Sequence, residues 1–151
     1  MCGQSEMIRL PGRRIGTKRA LWSPKRKEAR MPAVRYIVSD IDESVAFYRD
    51  MLSFDVDMHV PNQFAALSRE GLTLYVNRPG AGSAGLAGGN PAPGGWNRFQ
   101  IVTKDLDATI SELRDKGASF RGDVAEGPGG RQILLLDPSG NVVELFEHAA
   151  R

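Results

Sequence analysis

The feature that most constrains the fold of this 151-residue chain is a segment that occurs twice. Residues 34–50 and 99–115 match at a fixed offset, so that Asp40 aligns with Asp105. Each copy has the pattern of an apolar strand, an acidic turn and an amphipathic helix. A solenoid needs at least three repeats to bury a core, whereas two copies indicate a duplicated half-domain. We therefore expect two similar halves, with a groove between them as the natural place for a functional site.

Charge is divided unevenly along the chain. Nine of the 20 Lys and Arg residues but only two of the 18 Asp and Glu residues lie in residues 1–30, so the remainder has 11 basic and 16 acidic side chains. Because residues 1–30 show no helical or strand periodicity, we interpret them as a disordered basic tail or a non-native start ahead of Met31. The alternatives are a transit peptide or a tail that binds nucleic acid or an anionic surface. The acidic remainder argues against nucleic-acid binding.

Cysteine content and hydropathy favour a cytoplasmic protein. The single cysteine, Cys2, excludes an intramolecular disulfide and a thiolate cluster. No apolar run approaches the roughly 20 residues that a membrane span requires. The amino-terminal residues also lack the apolar core of a secretion signal. We therefore expect a cytoplasmic chain that does not enter a membrane.

The hydrophobic pattern from Met31 onwards predicts the order β-α-β-β-β twice and therefore an α+β fold. In the first copy, Asp40 caps a helix from Ile41 to Leu52, whose apolar residues recur at helical spacing. Alternating apolar residues bounded by turn residues predict the strands. The predicted domain, residues 31–151, is divided into half one at 31–77, a linker rich in Gly and Pro at 78–95, and half two at 96–148. The strands are predicted at 33–38, 54–60, 64–68 and 72–76, and at 96–102, 120–124, 131–136 and 142–147.

Three sequence features together resemble the vicinal-oxygen-chelate superfamily, which includes glyoxalase I, bleomycin-resistance proteins and extradiol dioxygenases. They are the paired β-α-β-β-β halves, the Phe47-Tyr48 pair after an acidic helix start, and the run Asp-Pro-Ser-Gly-Asn-Val-Val-Glu-Leu from Asp137 to Leu145. The resemblance covers about residues 31–148. It implies two cupped mixed sheets that enclose a pocket, in a glyoxalase/bleomycin-resistance-like domain. We also expect a homodimer.

The resemblance also implies where a metal ion would bind. In the members that use a metal, the first and last strands of each half supply ligands, usually His or Glu. The corresponding residues here are Ala33, Thr73, Arg98 and Glu144, of which only Glu144 is a suitable donor. Divalent ions need several oxygen or imidazole donors, and a guanidinium would repel the ion. We therefore predict neither a metal nor another cofactor.

Strand alternation identifies the side chains that face the expected pocket. Arg35 lies on the face opposite the helix-packed residues, and Arg98 and Gln100 do the same in the second copy. Arg98 and Glu144 are expected to share this pocket, either as an ion pair that braces its wall or with Arg98 binding a ligand oxygen. Two arginines and a glutamine in one cavity favour an oxygen-rich ligand. The candidate ligand-binding residues are Arg35, Tyr75, Trp96, Arg98, Gln100, Glu144 and Phe146.

Several of these residues also have a purely structural interpretation. Trp96 could stack a flat ligand at the pocket mouth, or it could cap the core or contact a second subunit. Tyr75 and Phe146 could line the cavity or pack in the core. The acidic pairs at the two helix starts are better explained by capping than by metal binding. His59 is expected on the outer side of its strand, and no catalytic residue can be assigned.

Three functions follow from this interpretation. The first is a glyoxalase-like protein that binds a small molecule without a metal. The second is an enzyme, namely a metal-dependent lyase, isomerase or ring-cleaving dioxygenase with a shifted ligand set. The third is a resistance protein that sequesters a drug. Metal content separates the second function from the others, and ligand class separates the first from the third.

Overall fold

The computed structural model describes residues 32–81 and 89–150, so the predicted tail at 1–30 and the middle of the predicted linker lie outside the described residues. The order β-α-β-β-β occurs twice, and the fold is α+β as predicted. The elements of half one are β1 (Ala33–Ile37), α1 (Ile41–Leu52), β2 (Asp55–Val60), β3 (Phe64–Arg69) and β4 (Leu72–Asn77). Those of half two are β5 (Arg98–Val102), α2 (Leu106–Asp115), β6 (Ser119–Gly127), β7 (Gly130–Leu136) and β8 (Val142–His148).

Each half forms one mixed four-stranded sheet, with the order β1-β4-β3-β2 in half one and β5-β8-β7-β6 in half two. The first strand of each half runs parallel to the last strand, and the other pairs are antiparallel. One face of each sheet packs on its helix, where residues such as Leu74 and Leu145 are almost fully buried. The opposite face of each sheet, here called the open face, carries the candidate site residues.

Both helices begin where the sequence predicts, because an aspartate caps each one. The Asp40 carboxylate accepts a hydrogen bond from the backbone N–H of Glu43 at 2.8 Å, and Asp105 does the same for Ala108 at 2.9 Å. Capping of this kind satisfies a backbone donor that has no partner within the helix. The capping interpretation of the two acidic pairs is therefore confirmed.

Two strand boundaries in half two differ from the prediction by more than one residue. The strand β5 begins at Arg98 rather than at residue 96, because Gly94 and Gly95 adopt positive φ angles of 91° and 100° just before it. The strand β6 extends to Gly127, since it pairs with β7 to the end of a hairpin. A register irregularity between Arg121 and Ala125 interrupts the apolar alternation of β6, which explains why the sequence predicted only a short strand.

The two halves share one hydrophobic core within the chain. Phe99 of half two joins an aromatic cluster with Tyr36, Tyr48 and Phe54 of half one, with ring centroids 5.7–6.5 Å apart. None of the backbone–backbone hydrogen bonds in the described ranges connects the two halves. Side chains therefore make the polar connections between them.

The turn between β7 and β8 provides most of these polar connections. Asp137 accepts a hydrogen bond from the Tyr48 hydroxyl at 2.9 Å, and the Asn141 amide donates to the backbone oxygen of Ile37 at 2.9 Å. The Tyr36 hydroxyl donates to the backbone oxygen of Val142 at 2.7 Å. Burial raises the pKa of Asp137 and raises that of Tyr36 to about 12. Both groups therefore lie in a poorly hydrated contact between the two halves, here called the joint.

Within the described parts of the chain, neither α1 nor α2 has the length and the apolar content that crossing a bilayer would demand.

Candidate functional site

Residues that pair across neighbouring strands form one row on each open face. Directly opposed residues point to the same side of a sheet, so the register of the strands identifies the rows. The half-one row consists of Arg35, Tyr75, Ala66 and Met58. The half-two row consists of Gln100, Glu144, Leu134 and Arg121. The two rows lie on equivalent strands but consist of different types of side chain.

Glu144 in the half-two row is held by hydrogen bonds to both of its carboxylate oxygens. Its Oε2 accepts from Arg98 Nε at 2.5 Å and its Oε1 from Gln100 Nε2 at 2.7 Å. Glu144 is only 7% exposed. Burial alone would raise the pKa of its carboxyl group, but the two hydrogen bonds and the Arg98 charge outweigh this effect and lower the pKa. Glu144 is therefore a fixed carboxylate with both oxygens already engaged.

Arg35 in the half-one row has a different environment. Its guanidinium lies over the Tyr75 ring, 5.0 Å from the centroid, and near Phe64 at 5.9 Å. Its Nη1 donates to Asn77 Oδ1 at 2.8 Å. Among the residues that the structure describes, no carboxylate forms a salt bridge with Arg35. Within the described part of the chain, the Arg35 guanidinium is therefore not paired with an acid.

The sequence interpretation missed Asn77 and Phe64. Asn77 is 1% exposed, and its Nδ2 lies within hydrogen-bonding distance of the backbone oxygens of Arg78 and Ala81, at 3.4 and 3.3 Å. These contacts orient the amide so that Oδ1 faces Arg35. Alternation along β4 places Asn77 on the same face as Tyr75, so the pattern that identified Tyr75 could have identified Asn77 as well.

The strand register corrects one predicted position. Because Arg35 pairs with Tyr75 and Gln100 pairs with Glu144, the half-one counterpart of Glu144 is Tyr75. The sequence interpretation had assigned this position to Thr73, which pairs with Ala33 and is therefore two residues away. An error of two residues keeps the side chain on the same face, so the alternating pattern could not reveal it.

The corrected positions do not fit a divalent metal ion. Ala33 has no donor atom, Arg98 is a cation, and both Glu144 oxygens already accept hydrogen bonds. The Tyr75 phenol is the only other oxygen at the four positions. In the described ranges, no group of three or more His, Cys, Asp or Glu side chains is arranged to hold a metal ion. A divalent ion at these positions would have to displace Arg98 and Gln100 from Glu144.

A groove of about 550 Å³, here called the seam groove, lies between β1 and the start of β5. Arg35 and Arg98 both line it, together with Gly94, Asn97 and Asn141. A hollow of about 640 Å³ lies at the far end of half two, beside Pro128 and His148, but none of the seven candidate residues lines it. The groove is therefore the better candidate site, although fewer apolar side chains enclose it than is usual for a ligand pocket.

Of the seven candidates, Arg35 and Arg98 line this groove; Tyr75 lies under Arg35, and Glu144 joins Arg98 to Gln100. Trp96 is 71% exposed and lies over the Arg121 guanidinium at 4.9 Å, so it does not cap the core. Phe146 packs edge-on against His148, with ring centroids 5.0 Å apart. His59 lies on the helix side of β2, where its Nε2 contacts Asp42 at 2.6 Å. The structure thus groups Arg35 with Tyr75, and Arg98 with Gln100 and Glu144.

Solved structures share this architecture. A superfamily member from Sphaerobacter thermophilus DSM 20745 is 26% identical, with a TM-score of 0.63, and the match covers 78% of this chain and 96% of that chain. Lactoylglutathione lyase from Agrobacterium tumefaciens is 21% identical, with a TM-score of 0.63 and coverages of 78% and 92%. TnmS3, an antibiotic binding protein from Streptomyces sp. CB03234, is 24% identical, with a TM-score of 0.60 and coverages of 78% and 93%.

A comparison with curated proteins found no match. A family model described as Glyoxalase/Bleomycin resistance protein/Dioxygenase superfamily matches residues 30–145, which include both helices and almost all of both sheets. The repeated β-α-β-β-β order, the two open faces and this match agree, and the chain therefore belongs to the glyoxalase/bleomycin resistance protein/dioxygenase superfamily.

Proposed function

We propose that this protein is a glyoxalase-like small-molecule-binding protein that holds its ligand in the seam groove without a metal ion. The observation that carries the proposal is the state of Glu144, whose two oxygens accept hydrogen bonds from Arg98 and Gln100. This carboxylate would be the main metal ligand of the site. It serves instead to hold two side chains on the open face of half two.

The charges on the open faces favour a ligand that carries oxygen atoms. Arg35 and Arg98 line the same groove, and guanidinium groups suit carboxylate, carbonyl or phosphate oxygens. A planar cationic drug would need an acidic aromatic surface, whereas the acid beside this groove is already paired with Arg98. If the protein sequesters a drug, as the third hypothesis holds, that drug is anionic or neutral.

The proposal includes a homodimer located in the cytoplasm, without nucleic-acid or membrane partners. Large apolar side chains remain exposed on or beside the open faces, namely Met58 at 55%, Val60 at 38%, Val102 at 51% and Trp96 at 71%. Large apolar side chains that remain exposed are available for contact with a second subunit. A second copy of the chain that covers this surface would also enclose the groove.

Metal analysis tests the proposal directly. We expect protein purified without chelator to contain far less than one equivalent of Zn, Ni, Mn and Fe by elemental analysis. EDTA should leave the melting temperature unchanged, and ligands found in a thermal-shift screen should bind equally well with EDTA present. One tightly bound divalent ion per chain, with a melt that falls after its removal, would instead support the metal-dependent lyase, isomerase or dioxygenase.

A Glu144→Gln variant serves as the control for this measurement. Gln keeps the shape of the side chain and removes its charge, so it would weaken any metal site that uses Glu144. We expect the metal content of this variant to equal that of the wild type. A fall in bound metal on substitution would identify Glu144 as a metal ligand and contradict the proposal.

A further inference from the structure

The positive groups of the two open faces differ in how they are neutralised. Arg98 is paired with the Glu144 carboxylate. Arg121 lies over Trp96, on the edge strand β6, and its Nη1 is 3.4 Å from the backbone oxygen of Gly95. Arg35 lines the seam groove and has only the neutral Asn77 amide as its hydrogen-bond acceptor in the described residues. Arg35 is thus the groove-lining cation that has no paired acid.

Among the described residues, the acids on the open face of half one, Asp55 and Asp57, lie on β2, the strand of that sheet farthest from β1. Asp57 accepts a hydrogen bond from Ser68 at 3.1 Å, at the β2 edge of the sheet. The strands β4 and β3 separate β1 from β2. At about 4.8 Å per strand, three strand spacings amount to roughly 14 Å, which is beyond hydrogen-bonding distance. A negative group from outside the half could therefore approach Arg35 without displacing a protein carboxylate.

The contacts of Arg35 hold its guanidinium in a defined position. Asn77 fixes one end through Nη1, and the Tyr75 ring supports the flat face of the group. A guanidinium has five N–H donors, and Asn77 accepts from one of them. The ring centroids of Phe64 and Tyr75 lie 5.7 Å apart, with the rings inclined at 32°, so the two half-buried rings form an apolar shelf over which the guanidinium lies.

We propose that Arg35, Tyr75 and Phe64 form a subsite for a flat, apolar ligand that carries one carboxylate or a similar anionic group. This inference rests on the proposed metal-free binding function and specifies its ligand class. The anionic group binds the donors of Arg35, and the flat part of the ligand packs on the Tyr75–Phe64 shelf. Arg98 belongs to the opposite wall of the groove, where Glu144 holds it in place.

Binding of 2-naphthoate, compared with the neutral 2-naphthalenemethanol, tests this assignment in calorimetric titrations of the full chain with EDTA present. Both probes have the same flat ring system, so the difference in affinity reports the anionic group. We expect naphthoate to bind more tightly. We expect Arg35→Gln to weaken naphthoate roughly tenfold or more, the usual effect of losing a charge-assisted hydrogen bond. Its effect on the neutral probe should be small.

Arg114→Gln provides a matched control. Arg114 also lies over an aromatic ring, that of Phe120 at 5.5 Å, but it is on α2, away from the open faces. The control variant should bind naphthoate as the wild type does. Tyr75→Leu should weaken both probes, because it removes half of the shelf.

Three results would overturn the inference. If both probes bind equally well and Arg35→Gln changes neither affinity, the proposed metal-free binding function is retained and the proposed anion subsite is rejected. If Arg35→Gln alters the monomer–dimer equilibrium without changing naphthoate affinity, Arg35 is a subunit contact. If neither probe binds until Zn²⁺, Ni²⁺ or Mn²⁺ is added, the proposed function fails and the subsite fails with it.

Discussion

The two halves of this domain place equivalent rows of side chains on equivalent strands, but the rows differ in chemistry. In half one the row begins with Arg35 on an aromatic ring, and no described acid forms a salt bridge with it. In half two the row contains Glu144, which is buried and bonded to Arg98 and Gln100. The helix-facing sides of the two sheets are both apolar and buried. The comparison indicates that the duplicated fold depends on the helix-facing residues, while the open faces were free to diverge.

The tight turns of the two halves also differ in the residues that adopt positive φ angles. Half one uses the non-glycine residues Asn62 and Glu70 at positive φ angles of 60° and 48°, the latter followed by Gly71 at 88°. Half two turns its β6–β7 hairpin at Gly130, whose φ is 146°. Asn tolerates the left-handed conformation found at positions 62 and 70, and other residues adopt it at some cost. The conformation of Gly130, by contrast, strongly favours glycine.

The largest effect that we expect comes from Gly130→Ala. An added Cβ would overlap the backbone oxygen of Glu147 on β8, in addition to the strain of the positive φ. We expect the free energy of unfolding to fall by about 3 kcal/mol or more. Chemical denaturation would measure it, with Gly127→Ala as the control, because a Cβ at Gly127 meets nothing within 4 Å. Equal stability of the two variants would show that the hairpin is no more constrained than the turns of half one.

The second prediction concerns the paired arginine of half two. Arg98→Ala should lower the free energy of unfolding by about 2 kcal/mol, less than the 3–5 kcal/mol of a fully buried pair, because 35% of the Arg98 side chain is exposed and Gln100 still donates. Glu144→Ala should cost less, since Arg98 can then turn to water. The double variant should cost less than the two single changes together.

Arg35→Ala is the comparison in half one. It leaves no carboxylate unpaired in the described residues but removes the donor to the buried Asn77 Oδ1, so its cost should be about 1 kcal/mol, below that of Arg98→Ala. Small and additive effects of Arg98→Ala and Glu144→Ala would mean that the pair contributes nothing to stability. The two rows would then differ only in the ligands that they can bind.

The third prediction tests the joint between the halves. Tyr48 is fully buried and its hydroxyl donates to Asp137 at 2.9 Å, so Tyr48→Phe should cost about 1–2 kcal/mol. Tyr75→Phe is the matched control on the open face, because the Tyr75 hydroxyl makes no hydrogen bond within the described ranges. We expect its effect to stay within about 0.5 kcal/mol. Identical urea midpoints for the two variants would rule out a stabilising role for the Tyr48–Asp137 contact.

The smallest effect that we expect is on the stability of the protein at acidic pH. The folded-state pKa of Glu144 lies below its ordinary value of 4.5, so its contribution to stability is complete above that value and is lost as the pH falls through the folded pKa. The stability difference between wild type and Glu144→Gln should therefore shrink below about pH 4.5. Asp137, whose pKa is raised, has the opposite dependence, and it cancels in this difference. A difference that stays constant down to pH 3 would contradict the lowered pKa.

The sequence predicted the order of elements, the two capped helices and the superfamily, because these follow from local patterns. Alternation with a period of two also identified the open-face residues, including the Arg98–Glu144 pair. It could not set the register between β1 and β4, since a slip of two residues leaves the same side chains on the same face. This explains why Thr73 was chosen where the structure places Tyr75.

The position of Trp96 could not be predicted for a different reason. The sequence predicted a strand from residue 96 to residue 102, but two glycines with positive φ angles just before it delay the start of β5 to Arg98. Backbone conformation at glycine is set by tertiary contacts, here including the Asn141 side chain that accepts a hydrogen bond from the Gly94 N–H at 2.8 Å. Gly94 and Asn141 are far apart in the sequence, so a pattern of neighbouring residues cannot reveal this contact.

The seam between β1 and β5 has a consequence for how this protein can evolve. No backbone ladder crosses the seam, so the spacing between the Arg35 and Arg98 walls depends on side chains such as Tyr36 and Asn141. A substitution at such a joint residue can widen or narrow the groove while both sheets keep their hydrogen bonds. Selection for a ligand of another size could therefore act on the joint and leave the charged residues of the groove unchanged.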